Sequence, residues 1–288
     1  METDGHARRG HRGIEKNGRS RIAIMIVDGR AIAEDIYADL SDFFSARKAR
    51  LGIVVVGANP VIDSFVRIKE RAAERLGIEM VHRDLLESAS EQKTIESLKE
   101  LLQTCDAVIP QLPMPGLNID TVLSAVPMDK DVDALNPSVS EDDRPIHAPV
   151  ALAAVEILTR NNIQIKGARA VVVGEGRLVG APSAWLLKKL GADVSIFSLD
   201  KGSIEDLKEA DIIVSGAGKP GLIKPEHIKK GVALIDAGTS ELNKKVVGDA
   251  DPACAEIASV ITPVPGGVGP VAVAMIFRNL KTLIEAKK

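Results

Sequence analysis

A lysine and an aromatic residue four positions apart are the first side chains in this sequence whose spacing indicates chemistry. Phe65 and Lys69 lie in "VIDSFVRIKERAAERL", a segment with helical periodicity, so both side chains share one face of a helix. A lone lysine on a helix is usually a solvated surface residue. In a closing cleft, however, desolvation lowers the pKa of a lysine and lets the free amine act as a base.

Three loops elsewhere in the sequence carry residues that could complete such a site. "PQLPMPG" places Gln111 in a rigid loop after an apolar run, and "PMDKDVDALNP" gathers several charged residues, including Asp133, in a second loop. "TPVPGGVGP" (262–270) contains three prolines and three glycines, so it cannot be a helix or the middle of a sheet. Its glycines indicate positive φ or a close backbone approach. It is either a plain connector or a rigid loop shaped to hold a ligand.

A glycine-rich turn predicts a phosphate-binding site. "VVVGEGRLVGAP" places Gly174, Gly176 and Gly180 after an apolar strand and before a helix, whose N-terminal N–H groups could bind a diphosphate. The spacing is one residue longer than the usual dinucleotide fingerprint, and many strand–helix turns are glycine-rich for geometry alone. Asp200 follows near the end of the next predicted strand, where a carboxylate would accept hydrogen bonds from a ribose hydroxyl.

Two further strand ends strengthen the dinucleotide interpretation. "SGAGKPGLI" contains Gly216 and "DAGTS" contains Thr239, and both segments follow short buried strands that end at the same sheet edge. Arg177 lies within the glycine-rich turn as a candidate contact to the phosphates. Together these segments predict a nicotinamide dinucleotide site, for NADP or NAD. The alternative is that the glycines serve only the geometry of the turns.

The elements that must position these residues alternate along the chain. Short strands are predicted at "RIAIMIV" (21–27), "GIVVVG" (52–57) and "EMVHRDL", and in the apolar runs of "AVIPQLPMPG", "ARAVVVGEG", "GADVSIFS", "ADIIVSGAG" and "VALIDAG", and helical patterns separate them. β-branched strands separated by helices indicate parallel sheets with helices on both faces, so the predicted fold class is α/β. The polar, proline-marked stretch "EDDRPIHAP" (141–149) divides the chain into two domains.

Composition excludes several classes of function. The 288 residues are 45% apolar and 27% charged, with a net charge of −3, which provides no electrostatic basis for binding nucleic acid or an anionic membrane. No apolar run reaches the roughly 18 residues of a membrane span. Cys105 and Cys254 match no metal-ligand spacing and are predicted to be free, buried thiols in a reducing cytoplasm. Residues 1–21 are polar and basic and are predicted to be a disordered extension, although their arginines could also indicate organelle import or nucleic-acid contact.

In these motifs the sequence resembles the methylenetetrahydrofolate dehydrogenase/cyclohydrolase (FolD) family, over nearly all of residues 24–280 and in the same order. "VDGRAIA", "VGANPVIDSFVRIKERAAERLGI", "QLPMP", "KDVDALNP", "GEGRLVGAP" and "TPVPGGVGP" carry the resemblance. The resemblance implies a folate-binding catalytic domain at 22–145 and 271–288, to which the C-terminal helix returns. It implies a Rossmann-type NAD(P)-binding domain at 146–270.

The resemblance also implies an activity and site residues. Family members oxidise methylenetetrahydrofolate to the methenyl form with NAD(P)⁺, and most then hydrolyse it to formyltetrahydrofolate. Lys69 would be the key cleft amine, Gln111 would position it, and Asp133 would hold the pterin. The substrate-binding residues would be Phe65, Pro113, Pro265, Gly266 and Gly267, and the cofactor-binding residues would be Gly174, Gly176, Arg177, Gly180, Asp200, Gly216 and Thr239. No metal is implied, and the expected assembly is a homodimer.

The sequence departs from the family pattern at functional positions. Phe65 replaces a tyrosine, so the ring can stack on folate but has no hydroxyl, and we expect cyclohydrolase activity to be weak or absent. Glu175 and Gly176 replace a frequent Arg-Ser pair in the cofactor turn. A carboxylate there would repel a 2′-phosphate, although Arg177 and Lys201 could offset this, so we expect NAD⁺ to be preferred over NADP⁺.

Two alternatives to a folate dehydrogenase remain at this stage. One is a catalytically silent homologue that binds folate or dinucleotide, and the other is a dehydrogenase of another small metabolite on a similar scaffold. Lys69, Gln111 and Asp133 are all retained, and a silent relative has no physical need for a desolvated lysine. The three folate-type loops argue against a different metabolite.

Overall fold

The computed structural model describes residues 24–57, 60–198, 201–242 and 245–287. Within these ranges α-helices alternate with β-strands, as the sequence predicts. The helices are α1 (Gly29–Ser45), α2 (Pro60–Arg75), α3 (Glu91–Thr104), α4 (Ile119–Ser124), α5 (Pro149–Arg160), α6 (Gly180–Lys189) and α7 (Val268–Glu285). The strands are β1 (Met25–Ile26), β2 (Arg50–Val56), β3 (Glu79–Leu85), β4 (Ala107–Pro110), β5 (Arg169–Val173), β6 (Asp193–Phe197), β7 (Ile212–Ser215), β8 (Ala233–Asp236), β9 (Ser240–Leu242), β10 (Lys245–Val247) and β11 (Val260–Ile261).

The first sheet has three parallel strands in the order β3-β2-β4. Strand β2 is central and almost wholly buried, which agrees with its uninterrupted apolar sequence. The chain runs from β2 through α2 to β3 on one side and then returns to β4 on the other side. The strand order therefore reverses between β2 and β4. In open parallel sheets such a reversal leaves a crevice beyond the carboxyl ends of the strands, where ligands bind.

The second sheet has six strands in the order β1-β11-β8-β7-β5-β6, and all its neighbouring pairs are parallel. Here the order reverses between β5 and β7, which creates a second crevice at their carboxyl ends. Strand β1 lies at the edge of this second sheet, where Met25 and Ile26 pair with Val260 and Ile261. The first domain was expected to begin at residue 22, so this strand pairs with a part of the chain that was assigned to the other domain.

The C-terminal helix α7 joins the two parts of the fold. It packs against α1, α2 and α5, so it returns to the N-terminal half of the chain as the resemblance implied. Its apolar face contributes Val271, Phe277 and Leu280, which are fully buried, to a core that is continuous with residues from both sheets. The helices that link the two sheets thus share one apolar core, in which aliphatic residues far outnumber aromatic ones.

The extension at 1–21 and the dinucleotide candidate Asp200 lie outside the described residues. Cys105 and Cys254 are buried free thiols, as predicted. In the part of the chain that the structure describes, no helix is long and apolar enough to cross a membrane, and no group of three or more His, Cys, Asp or Glu side chains is arranged to hold a metal ion.

Candidate functional site

Lys69 and Gln111 meet at the crevice of the first sheet. Helix α2 carries Lys69, and Gln111 follows the last residue of β4, where its backbone N–H donates to the Val54 carbonyl at 2.9 Å. Lys69 Nζ donates to Gln111 Oε1 at 2.5 Å. Gln111 Nε2 donates to the Leu112 carbonyl at 2.7 Å, which fixes the amide with its oxygen toward the lysine. The pair is built from a helix and a strand end 42 residues apart in sequence.

Asp133 lies near Lys69 as well, in the loop that follows the short helix Met128–Lys130. A parallel bridge between Val108 and Asp131 lays the start of this loop beside β4, whose end Gln111 follows. Burial lowers the pKa of Lys69 below the ordinary lysine value, and the nearby Asp133 carboxylate opposes this shift. Burial likewise raises the pKa of Asp133, and Lys69 opposes that shift. The cleft therefore favours the neutral amine more than water does, which is the property required of a base.

Phe65 lies one helical turn before Lys69 on α2, as the spacing predicts. It is 39% exposed, so its ring is open to a stacking partner. Pro113 is also exposed and follows a cis peptide bond at Leu112–Pro113. An exposed aromatic ring one helical turn from Lys69 and an exposed proline two residues after Gln111 are thus both available to contact a flat heterocycle.

The "TPVPGGVGP" segment lies where the chain leaves β11 and enters α7. Gly29 N donates to the Gly266 carbonyl at 3.0 Å, and a Cβ on Gly29 would lie 1.8 Å from the Gly267 carbonyl oxygen. A Cβ on Gly267 would lie 2.6 Å from Thr262, and Gly266 has φ of 106°. Glycine is required here by backbone contact as well as by conformation. The loop is therefore a rigid part of the junction between α1 and α7, with Pro265 exposed.

The glycine-rich turn joins β5 to α6 at the crevice of the second sheet. Gly174 has φ of 97°, and a Cβ on Gly180 would lie 2.0 Å from the Gly174 carbonyl oxygen. A Cβ on Gly216, which follows β7, would lie 2.4 Å from the Val179 side chain. Gly176 is different, because a Cβ there would meet no protein atom within 4 Å. The backbone of the turn is therefore closely packed at Gly174, Gly180 and Gly216, and it has open space at Gly176.

A cavity of about 230 Å³ lies beside this turn. Its lining comes from the ends of β5, β6 and β7 and the segment after β7: Val173, Gly174, Phe197, Ser198, Ala217, Lys219 and Leu222. Neither Ser198 nor Lys219 was predicted from the sequence to line a site. The signal for both was their position shortly after the ends of strands. The glycines let the backbone of the turn pack closely, and the cavity lies where the strand order reverses between β5 and β7. Both features are expected of a dinucleotide site.

The charged residues of the turn are already paired. Lys201 Nζ lies 3.0 Å from Glu175 Oε1, and Ser198 Oγ donates to Glu175 Oε2 at 3.4 Å. Arg177 Nη1 lies 2.7 Å from Asp120 Oδ1 of α4, so this arginine contacts the folate-type half of the chain. The predicted contact of Arg177 with the cofactor stays a prediction, and in the structure its partner is Asp120. Both cations that were expected to favour a 2′-phosphate thus have a carboxylate partner.

Two buried carboxylates that the sequence analysis missed hold the loops around the second crevice. Asp249 accepts hydrogen bonds from Ser215 Oγ at 2.6 Å and from the backbone of Ala217 and Lys219. Asp236 accepts from the backbone of Gly238, Asp249 and Ala250. Thr239 is exposed on the loop after β8, next to the loop that follows β7 and contains Gly216. The two carboxylates fix those loops, and no local pattern in the sequence marks them for that role.

The structure brings the predicted residues into two groups. One group contains Lys69, Gln111 and Asp133, and the other contains Gly174, Gly180 and Gly216. Gly176 lies on the open side of the second group.

Comparisons with known proteins cover both halves of the chain. Models of the "Tetrahydrofolate dehydrogenase/cyclohydrolase" family match residues 27–133 (catalytic domain) and 148–288 (NAD(P)-binding domain). A "Bifunctional protein FolD" from Staphylococcus aureus is 37% identical over 91% of this chain and 96% of its own length.

Solved structures give the same result. The bifunctional FolD enzyme of Campylobacter jejuni superposes with a TM-score of 0.86 at 28% identity, covering 92% of this chain and all of that one. The Trypanosoma brucei FolD, solved with NADP and an inhibitor, gives a TM-score of 0.85 at 30% identity, covering 92% of this chain and 98% of that one.

Proposed function

Because the chain belongs to the tetrahydrofolate dehydrogenase/cyclohydrolase family, we propose that it oxidises methylenetetrahydrofolate to methenyltetrahydrofolate with a nicotinamide dinucleotide. The cyclohydrolase step to formyltetrahydrofolate is the family's second activity. The single observation that carries the proposal is the hydrogen bond from Lys69 to Gln111, next to Asp133, at the strand reversal of the first sheet. The half-buried amine of Lys69 on α2 meets two polar groups there, Gln111 after β4 and Asp133 in a later loop.

Each of these groups has a distinct task in the proposed reaction. Gln111 accepts one N–H of Lys69 and so holds the nitrogen in one place, leaving its other positions for substrate or water. Asp133 is an acceptor for the N–H groups of the pterin. Phe65 supplies an open aromatic face for stacking. Lys69, with a lowered pKa, takes up or holds a proton at its Nζ while the folate changes charge.

The dinucleotide would bind at the second crevice. Gly174, Gly176 and Gly180 would face its diphosphate, since the turn is open above Gly176 and backbone N–H groups of α6 begin there. The cavity that Ser198 and Lys219 line would hold the adenosine end. When bound, the cofactor accepts the hydride from the methylene carbon. The chain's own contribution is alignment, which for a two-substrate transfer is a large part of the rate.

Two departures from the family refine the proposal. Glu175 at the cavity favours NAD⁺, because it would repel a 2′-phosphate and its counterion Lys201 is already engaged. Phe65 lacks a hydroxyl one turn from Lys69, so we propose that hydrolysis of methenyltetrahydrofolate is slower than the oxidation. The division into a folate-binding and a nucleotide-binding domain, the homodimer and the cytoplasmic location stay predictions. Their support is the family relationship and the composition.

The proposal is tested by following dinucleotide reduction with methylenetetrahydrofolate and each of NAD⁺ and NADP⁺. We expect reduction with at least one of them, and a loss of more than roughly 10²-fold in Lys69→Met. Lys99→Met is the matched control, because Lys99 is an exposed lysine on α3. A folded protein that binds both ligands without reducing the dinucleotide would be a silent homologue, and the proposed activity would be wrong.

A further inference from the structure

Four charged or titratable side chains that the proposed reaction does not use form a chain between Asp131 and His147. Arg144 Nη1 lies 3.6 Å from Asp131 Oδ2, and these side chains are only 6% and 2% exposed. Arg144 Nε lies 3.4 Å from Glu141 Oε1, and His147 Nδ1 lies 3.8 Å from Glu141 Oε2. We call these four residues the Asp131–His147 chain. It begins two residues from Asp133.

Arg144 forms hydrogen bonds to the loop that contains Asp133. Its Nη2 donates to the carbonyls of Asn136 at 2.5 Å and Val139 at 3.1 Å. Asp131 Oδ2 in turn accepts from the backbone N–H of Asn136 at 2.7 Å. One guanidinium therefore cross-links both the carboxylate at the start of the loop and two carbonyls at its end. Asp133 lies between these fixed points.

His147, at the other end of the Asp131–His147 chain, contacts helix α6 in the nucleotide-binding half of the protein. The His147 ring centroid lies 4.8 Å from that of Trp185, which is on α6. Lys189 of α6 lies over the same indole at 5.5 Å and forms an ion pair with Asp142 at 2.7 Å. Helix α6 begins at Gly180, in the glycine-rich turn. Contacts thus run from the Asp133 loop to the helix that would carry the dinucleotide.

The Asp131–His147 chain of side chains is poorly suited to stabilising the fold. Asp131 Oδ1, Arg144 Nε, Glu141 Oε2 and His147 Nδ1 are buried and have no hydrogen-bond partner among the described residues. Removing charges from water costs more than their mutual attraction returns unless their hydrogen bonds are complete, and apolar side chains often serve stability as well or better. What a guanidinium provides here and an apolar group cannot is directional fixing of two carbonyls and a carboxylate.

We propose that Arg144 is a positioning residue that sets Asp133 relative to Lys69. This inference rests on the proposed function, since Asp133 is assigned there to the folate. Loss of the guanidinium frees the 131–139 loop while Lys69, Gln111 and the glycine-rich turn keep their own contacts. Folate binding should therefore suffer and dinucleotide binding should not.

The experiment compares Arg144→Met and Arg144→Lys with the control Arg169→Met, which removes an exposed arginine paired with Glu209. KM for methylenetetrahydrofolate is measured at saturating dinucleotide, and the dissociation constant of the dinucleotide is measured separately. We expect KM for the folate to rise roughly 10- to 100-fold in Arg144→Met, as for other misplacements remote from the reacting atoms. Dinucleotide binding should stay within about twofold, and Arg144→Lys should recover only part of the loss, because an ammonium cannot replace the planar fork.

A second readout is independent of activity. Trp185 is the one tryptophan in the sequence, and a protonated imidazole quenches indole emission, so a pH titration of the fluorescence reports His147. Burial lowers the pKa of His147, and so do Arg144 and Lys189, whereas Glu141 raises it. Arg144→Met should therefore move the midpoint of the emission change to higher pH, and Arg169→Met should leave it in place.

The outcomes separate this inference from the proposed function. A wild-type protein with no folate-dependent reduction contradicts the proposed function. An active wild type with an unchanged folate KM in Arg144→Met contradicts the positioning role, and so does an equal loss of affinity for both ligands. If Arg144→Met does not fold, Arg144→Lys and Glu141→Gln are judged by the same comparison of the two ligands.

Discussion

Replacing Glu175 with glutamine should weaken the preference for NAD⁺ and favour NADP⁺. Glu175 holds Lys201 at 3.0 Å beside the cavity proposed for the adenosine end of the cofactor. Glutamine keeps the size and the hydrogen-bonding capacity of the side chain but removes its charge. The substitution also releases Lys201, which can then face a 2′-phosphate.

The size of the change follows from exposure and charge. For two unit charges about 5 Å apart, Coulomb's law gives about 0.8 kcal/mol in water and about 3 kcal/mol at an effective dielectric constant of about 20. The Glu175 side chain is 40% exposed and that of Lys201 67%, so the aqueous value applies. A phosphate charge of about −2 doubles it to about 1.7 kcal/mol. The ratio of kcat/KM for NADP⁺ to that for NAD⁺ should therefore rise roughly 15- to 20-fold.

The assay measures kcat/KM for both dinucleotides with methylenetetrahydrofolate in wild type, Glu175→Gln and the control Glu205→Gln. Glu205 is an exposed carboxylate that also pairs with a lysine, but it lies on a short helix after β6. A second variant that adds Lys201→Met to Glu175→Gln should lose much of the gain. A ratio that changes less than threefold in Glu175→Gln, or a wild type that already prefers NADP⁺, would refute the assignment of Glu175.

Three further predictions concern other parts of the site. Phe65→Tyr should raise methenyltetrahydrofolate hydrolysis by roughly 10²-fold or more while oxidation changes little, because it restores a hydroxyl near Lys69; rapid hydrolysis by the wild type and no gain in the variant would contradict this. The kcat should rise with pH through the pKa of Lys69, since the free amine is the active form. Asp133 raises the pKa of Lys69, so Asp133→Asn should move the rise in kcat to lower pH. If the rise does not move, or moves to higher pH, another group titrates. Gly180→Ala should lower the melting temperature, since its Cβ would lie 2.0 Å from a carbonyl oxygen. Gly176→Ala should leave the melting temperature unchanged and weaken dinucleotide binding. Equal melting temperatures for the two variants would contradict the described packing.

Much of the fold was predictable because it depends on local pattern. The apolar run at β2 and the helical spacing of α2 each determine an element from a few neighbouring residues. The spacing of Phe65 and Lys69 and the glycines of the cofactor turn were predictable for the same reason. Their geometry follows from one turn of helix and from the absence of Cβ atoms.

The remaining features depend on contacts between distant segments. Strand β1 has an ordinary apolar sequence, and nothing in that sequence indicates that Met25 pairs with Val260. The cofactor contact of Arg177 stays a prediction, and its ion pair with Asp120, 57 positions earlier, was not predictable from the sequence. Arg144 lies in a stretch that was interpreted only as a polar boundary. Which carboxylate a cation meets is decided by tertiary packing, which composition and periodicity do not record.

The most direct test of the central claim follows one atom. Methylenetetrahydrofolate made with a dideuterated methylene group is incubated with the protein and NAD⁺ or NADP⁺, and the reduced dinucleotide is examined by mass spectrometry. The proposed reaction moves the hydride from that carbon, so one deuterium should appear in each reduced dinucleotide formed by the wild type, and formation of the labelled product should be nearly abolished in Lys69→Met. Reduced dinucleotide without deuterium, or no reduced dinucleotide from a folded protein that binds both ligands, would contradict the account.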